Sequence, residues 1–171
     1  IERRVGTVSV FNGPEPTLQT FATLADESRA VGSWLSQRVS EGISHSEIGV
    51  FVRSEGELFR AIEAMDRAGL PHKVLNEQVA TEEGAVSIAT MHLAKGLEFR
   101  VVVVMACDDE IIPSQERIEE VTDDAELSEV YNTERHLLYV ACTRARDQLF
   151  VSGVSPESEF LRDLEVRTPR T

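Results

Sequence analysis

The chain has 171 residues, 42% of them hydrophobic, and its 17 basic and 30 acidic side chains give a net charge of −13. This length is sufficient for one globular domain with an ordinary core. The acidic balance excludes a protein that coats nucleic acid through overall positive charge, so any contact with DNA must come from a local patch. The two cysteines, Cys107 and Cys142, lie far apart in the sequence and form no CxxC pattern. We therefore expect neither a disulfide framework nor a zinc site.

Targeting signals are missing from the printed sequence. It does not open on a charged and then apolar leader, and its longest apolar run, VVVVMAC, is too short to span a bilayer. We therefore expect a soluble cytoplasmic protein in a reducing compartment, with no membrane partner. Because the first residue is Ile rather than Met, we expect the chain to be a piece of a longer protein.

Strands and helices are predicted to alternate along the chain. The predicted strands are VGTVSVF (5–11), IGVFV (48–52), HKVL (72–75), VSIAT (86–90), RVVVVMA (100–106) and QLFVS (148–152). Apolar residues at helical spacing predict helices over 25–41, 55–69, 131–145 and 157–164. This alternation indicates an α/β domain whose mostly parallel sheet carries helices on both sides. In such sheets, ligands bind at the carboxyl ends of the strands.

Two polar segments interrupt this pattern. NEQVATEEGA (76–85) is predicted to be a loop, and the acidic run ERIEEVTDDAELSE (116–129) is interpreted as a mobile, solvated loop within 114–130.

Two local patterns raise the question of chemistry in this chain itself. In VVVVMACDDE an apolar strand precedes three acids, Asp108, Asp109 and Glu110, as in a magnesium-binding Walker B segment. That role needs a phosphate loop, GxxxxGK followed by Ser or Thr, but no glycine precedes either of the two lysines, so we expect no metal site here. Cys142 lacks a histidine base close by, and we expect a small buried side chain rather than a nucleophile.

The segment TMHLAKGLEF (90–99) places polar groups after the strand VSIAT. Thr90, His92 and Lys95 have the chemistry to touch a nucleic-acid phosphate, Gly96 permits a tight turn, and the Glu98 carboxylate has the chemistry to accept from a ribose hydroxyl. By itself the segment is equally compatible with an ordinary connection between two elements. In the same way, RHLLYVACTRARD (135–147) alone fits a solvated helix end.

The order of these segments resembles the carboxyl-terminal motor domain of superfamily 1 helicases of the UvrD/Rep/PcrA type. IGVFVRS (48–54) resembles motif IV of that family, TMHLAKGLEF (90–99) motif V, and ERHLLYVACTRA (134–145) motif VI. The resemblance runs over nearly the whole chain and implies one RecA-like domain over residues 1–171. It also implies ATP hydrolysis in a cleft between this domain and a first RecA-like domain, which would hold ATP and Mg²⁺.

The resemblance assigns expected roles to individual residues. Arg53 and Arg144 would reach the γ-phosphate as catalytic arginines, because a planar guanidinium can meet two phosphoryl oxygens at once. Glu98 would lie near the ribose, next to the turn at Gly96. Three further residues would contact single-stranded DNA: Thr90, His92 and, with a less defined role, Lys95. Within motif VI we interpret Glu134 and Tyr139 as supporting residues, and Arg146 as structural or solvated.

The chain also departs from the family pattern. Val52 replaces the tyrosine that commonly precedes the motif IV arginine and stacks on adenine, and Leu93 replaces a serine of motif V. Motif VI reads ACTRA where GVTRA is usual, which should affect packing. Only NEQVATEEGA (76–85) occupies the position at which well-known members carry a long accessory subdomain.

The sequence therefore predicts the second motor half of an ATP-dependent DNA helicase or translocase, inactive as an isolated domain. One alternative is the RecA-like part of a helicase–nuclease. Another is a degenerate module kept for protein interaction, although the intact Arg53, Glu98 and Arg144 argue against it.

Overall fold

The computed structural model describes residues 15–166, and these residues form a three-layer α/β sandwich. The strands are β1 (Thr17–Phe21), β2 (Ile48–Val52), β3 (His72–Val74), β4 (Val86–Thr90), β5 (Phe99–Val104) and β6 (Ala145–Val154). The α-helices are α1 (Leu24–Ser40), α2 (Leu58–Ala68), α3 (Gln115–Glu119), α4 (Asp124–Cys142) and α5 (Phe160–Val166). All neighbouring strands of this sheet pair in parallel, in the order β1-β6-β5-β2-β4-β3. The predicted α/β fold class is confirmed.

The central strands are buried on both faces, as the uniformly apolar sequence of β5 predicts. Val101 and Val103 of β5 face a core shared with α1 and α2, and Val102 and Val104 face a second core shared with α4 and α5. The alternation of strand side chains thus divides one apolar run between two layers.

The parallel strands define two edges of the sheet. At the carboxyl edge β2, β4 and β5 end, and Val52 of β2 lies beside Thr90 of β4. At the amino edge β5 and β6 begin, with Phe99 paired to Ala145. The candidate site residues fall on both edges.

The acidic run is helical, so its interpretation as a loop is wrong. Ser114 caps α3, and its side-chain oxygen accepts from the amide of Arg117. Asp123 caps α4, and its carboxylate accepts from the amide of Glu126. An acidic side chain at the amino terminus of a helix accepts hydrogen bonds from the free amides there, and its negative charge interacts favourably with the positive end of the helix dipole. These charges therefore favour the start of a helix. As a result α4 begins at Asp124, seven residues before the predicted start.

Other boundaries differ less. β2 and β4 have the predicted bounds, whereas β6 is longer at both ends than the predicted 148–152. The edge strand β1 was not predicted from the sequence. The strand predicted over 5–11 lies outside the described residues.

The connection between β3 and β4 is a loop over 75–85, without a helix. The Lys73 ammonium donates to the carbonyl oxygen of Ala80 across 2.9 Å, which ties the loop to β3. No accessory subdomain is present at this position, as the sequence indicates.

Candidate functional site

The carboxyl edge carries two of the three residues predicted to contact DNA. Thr90 ends β4 and is half-buried, and His92 lies in the following 3-10 turn, Met91–Leu93, and is exposed. Both line a cleft of about 950 Å³, together with apolar side chains such as Leu58 and polar ones such as Glu77. This cleft gives a ligand access to both residues.

Arg53 follows β2 at the same edge, but it is buried, with 7% of its surface exposed. Its Nε and Nη2 donate to the two carboxylate oxygens of Glu134, across 2.8 Å and 2.6 Å. Its Nη1 lies 3.1 Å from Nε2 of His92. All three guanidinium nitrogens of Arg53 are therefore engaged within the domain.

Glu134, on α4, is fully buried and binds more than Arg53. The Ser114 amide donates to its Oε1 and the Arg117 guanidinium to its Oε2, each across 2.8 Å. Burial by itself raises the pKa of a carboxyl group, but the bonds from Arg53, Ser114 and Arg117 outweigh it, so the pKa of Glu134 lies below its ordinary 4.5. Glu134 is thus a charged support, in agreement with the sequence analysis.

The surroundings of His92 favour its neutral form. Partial burial and the charge of Arg53, with a smaller contribution from Arg117, lower the pKa of His92 below its ordinary 6.5, against the opposing effect of Glu134. This shift favours the uncharged imidazole of His92 at neutral pH.

The amino edge carries Arg144, which follows the C-cap residue Thr143 of α4 and directly precedes β6. Its guanidinium donates to the carbonyl oxygens of Val140 (Nε, 3.0 Å) and Leu97 (Nη1, 3.2 Å) and to the Thr143 hydroxyl (Nη2, 3.1 Å). Arg144 is half-buried, and it has no carboxylate partner among the described residues. Its charge is therefore not neutralised by an ion pair within this part of the chain.

Glu98 lies near Arg144 in the fold, directly before β5. Its carboxylate is 67% exposed and lies 3.7 Å from the guanidinium of Arg146, which is itself exposed. Gly96 has a φ of +88°, a left-handed conformation that favours glycine, and Lys95 before it is exposed. The predicted tight turn at Gly96 is present.

The structure does not bring Arg53 and Arg144 together. Phe51 pairs with Val104 at one end of β5 and Ala145 pairs with Phe99 at the other. Arg53 and Arg144 lie beyond opposite ends of this span, so at about 3.3 Å per residue their backbones are roughly 25 Å apart along the strand direction. The buried carboxylate of Glu134 holds Arg53 on the carboxyl edge, so the two arginines lie at opposite edges of the sheet, and their joint contact with one phosphate stays a prediction.

A second buried ionic network lies at the carboxyl edge, and sequence reasoning missed it. Glu27 of α1 is fully buried and accepts from Arg60 of α2 across 2.6 Å and from the Ser152 hydroxyl across 2.8 Å. Arg60 also donates to Asp108 across 2.8 Å. Glu27 lies four residues before the buried Val31, on the same side of α1. An acidic residue within this apolar stripe was the sequence feature that could have indicated a buried ion pair. Asp108 is thus committed to a structural ion pair.

Both cysteines are buried. Burial raises the pKa of the Cys142 thiol to about 12 and that of the Cys107 thiol well above 9. The prediction that Cys142 is a small buried side chain is confirmed.

Within residues 15–166, the helices are either too short or too polar to cross a membrane. The same part of the chain contains no cluster of three or more His, Cys, Asp or Glu side chains placed to hold a metal ion.

Comparison with known proteins supports the motif assignment. Residues 75–155 match the model of the UvrD-like helicase C-terminal domain family. The matched segment covers motifs V and VI, together with the connecting elements α3 and α4.

Similar proteins include two helicases. The ATP-dependent DNA helicase UvrD1 of Mycobacterium tuberculosis (strain H37Rv) is 41% identical over 92 residues, which cover 47% of this chain and 11% of that protein. The ATP-dependent DNA helicase PcrA of Staphylococcus aureus (strain COL) is 37% identical over 83 residues, 48% of this chain and 11% of that protein. The matched segment thus spans about a tenth of the length of these relatives.

A solved structure shares the fold. The C-terminal domain of a possible DNA helicase from Lactobacillus plantarum WCFS1 superposes with a TM-score of 0.66 and 20% identity, over 95% of this chain and 91% of that one. With the family match and the relatives, it confirms the resemblance that motifs V and VI indicate. Residues 75–155 thus match the UvrD-like helicase C-terminal domain family, and the chain is similar to the UvrD1 and PcrA helicases over about half of its length.

Proposed function

We propose that residues 1–171 form the second RecA-like motor domain of an ATP-dependent DNA helicase or translocase, acting in the cytoplasm beside a first motor domain of the same protein. The homology to ATP-dependent DNA helicases through motifs V and VI carries the proposal. The arrangement of the two sheet edges supports it, because Arg144 and Glu98 lie at the amino edge whereas Thr90 and His92 lie at the carboxyl edge.

The nucleotide would bind at the amino edge. Arg144 has no carboxylate partner among residues 15–166, and its three hydrogen bonds go to neutral oxygens. A phosphate oxygen offers such a donor a stronger, charge-assisted partner. Arg144 would therefore exchange these contacts for the γ-phosphate of an ATP presented by the first domain.

Glu98 would lie at the ribose of the same nucleotide. Its exposed carboxylate and the turn at Gly96 stand at the edge where Arg144 emerges. ATP and Mg²⁺ would be held mainly by the first domain, since this chain lacks the phosphate loop that grips a triphosphate. Arg144 and Glu98 then contribute contacts to a site built by two domains.

Single-stranded DNA would bind at the carboxyl edge. Thr90 and His92 line the open cleft there, and the exposed Lys95 follows in the same connection. With a net charge of −13 the domain alone would bind DNA weakly, because affinity for phosphates depends on local cations.

The second catalytic arginine stays a prediction. Arg53 would have to leave the buried carboxylate of Glu134 to touch a phosphate, and a buried ion pair resists separation. Its contacts favour a role at the carboxyl edge.

The test is steady-state ATP hydrolysis with single-stranded DNA, measured on the full-length helicase that carries this domain. Arg144→Ala should lower kcat roughly a thousandfold, the size of an arginine-finger effect. Arg29→Ala is the control, since Arg29 is an exposed side chain of α1. The 171-residue chain alone should be inactive. Unchanged turnover in Arg144→Ala would remove the finger assignment, and a full-length protein without turnover would favour an interaction module.

A further inference from the structure

We propose that Arg53, held by Glu134, fixes His92 as a neutral imidazole with its proton on Nδ1, ready to donate to a phosphate oxygen of single-stranded DNA. The inference rests on the proposed DNA-binding role of the carboxyl edge. Arg53 and Glu134 become positioning residues, and His92 the residue that touches DNA.

The tautomer follows from the partner of Nε2. A guanidinium is always charged and has only donors, so the contact between Arg53 Nη1 and His92 Nε2 requires Nε2 to accept. A neutral imidazole that accepts at Nε2 carries its proton on Nδ1. A doubly protonated ring would direct one N–H at another and place two cations in contact.

The arginine cannot easily turn away. Two of its nitrogens are bound to the carboxylate of Glu134, and the third points at His92. The carboxylate is in turn held by the Ser114 amide and Arg117. A buried hydrogen-bond network of this kind restricts the direction in which each donor can point.

The other ring nitrogen is available to a ligand. Among residues 15–166 no hydrogen-bond partner of His92 Nδ1 is present, and the ring is exposed in the cleft of about 950 Å³. The charged groups that act on the ring are Arg53 at the end of β2, Arg117 on α3 and Glu134 on α4. The formal charges of these three groups sum to +1, and Glu55 and Glu77 also line the cleft.

The proton position can be measured directly. In ¹⁵N-labelled 171-residue chain, two-bond ¹H–¹⁵N correlation spectra of the imidazoles report the protonated nitrogen, and His92→Gln assigns the signals. We expect a protonated Nδ1 and an unprotonated Nε2 at pH 7. Arg53→Lys should shift His92 toward the Nε2-protonated form that predominates in free histidine.

Arg117→Lys is the matched control, because Arg117 binds the same carboxylate without touching His92. This variant should leave the tautomer unchanged. A protonated Nε2 in the unmodified chain would overturn the inference whatever the variants do. An equal response to Arg53→Lys and Arg117→Lys would also overturn it, because the effect would then be general loosening.

Binding of a single-stranded oligothymidylate tests the donor role. Arg53→Lys and His92→Gln should each weaken binding roughly threefold to tenfold, the effect of one hydrogen bond. The double variant should be no weaker than the weaker single variant, because both remove one contact. Additive losses of affinity, or no loss of affinity in His92→Gln, would overturn the proposal. The hydrolysis assay of Arg144→Ala tests the motor function separately.

Discussion

The Arg144 guanidinium donates to the carbonyl oxygen of Leu97 across 3.2 Å, so the arginine of motif VI is bonded to the residue before the glutamate of motif V. The backbone repeats this link, since the amide of Phe99 donates to the carbonyl oxygen of Arg144 across 3.0 Å. The two segments are thus held in register at the amino edge. These two bonds place the backbone on either side of Glu98 next to Arg144.

Glu134→Gln should destabilise the domain in a pH-dependent way. Loss of the charge leaves Arg53 buried without an anionic partner, which should lower the free energy of unfolding by about 3 kcal/mol at neutral pH. Because the pKa of Glu134 lies below 4.5 in the fold, the stability it provides is complete above that pH and is lost as the pH falls through the folded pKa. Urea unfolding, at neutral pH and across the acidic range, measures both effects.

Glu129→Gln is the control for this experiment, since Glu129 is an exposed carboxylate of the same helix. It should change stability by less than about 0.5 kcal/mol. An equally steep loss of stability in acid for Glu134→Gln and the unmodified chain would show that Glu134 does not carry this pH dependence.

Asp108→Asn should destabilise the fold without changing the magnesium dependence of hydrolysis. Asp108 shares Arg60 with the buried Glu27, so its charge stabilises α2 against the end of β5. We expect a loss of about 1–3 kcal/mol in unfolding experiments. Asp109→Asn, at an exposed neighbour, should have little effect. An altered Mg²⁺ requirement in the full-length helicase would restore the metal-binding interpretation of Asp108.

Gly49→Ala should reveal a close packing requirement. A Cβ at position 49 would lie 2.5 Å from the ring of Phe99, so the ring must move. Overpacking of this kind costs about 1–3 kcal/mol of unfolding free energy. Phe99→Leu in the same chain should recover part of the loss, and a double-mutant cycle by chemical denaturation measures the recovery. Fully additive losses would contradict this contact.

Neither cysteine should react while the domain is folded. Their raised pKa values leave almost no thiolate near pH 8, and both side chains are buried. Mass spectrometry should show no modification by iodoacetamide in buffer and two modified thiols in urea. Rapid labelling of Cys142 in the native chain would reopen its interpretation as a nucleophile.

Short-range patterns predicted much of the fold. β2 and β4 are apolar and buried on both faces, so their composition alone located them. β1, TLQTF, lies at the sheet edge, and three of its five residues are polar, so it lacks that signal. The acidic run was predicted to be a loop because its charged side chains indicated exposure to solvent. In the structure, Asp123 and its acidic neighbours lie instead at the start of a helix.

The candidate site was less predictable, because it depends on contacts between distant segments. Arg53 and Glu134 are 81 positions apart, and the spacing of one does not reveal the other. Motif order indicated which residues matter but placed Arg53 and Arg144 at one phosphate. Only the sheet register shows that they emerge at opposite edges.

Helix α4 joins those edges. Its 19 residues form a rod about 28 Å long. Midway along it Glu134 is fastened to Arg53 and thereby to His92, and its last turn supplies a carbonyl to Arg144. One continuous helix therefore contacts, through Glu134 and the carbonyl of Val140, both the group that holds His92 and the side chain of Arg144.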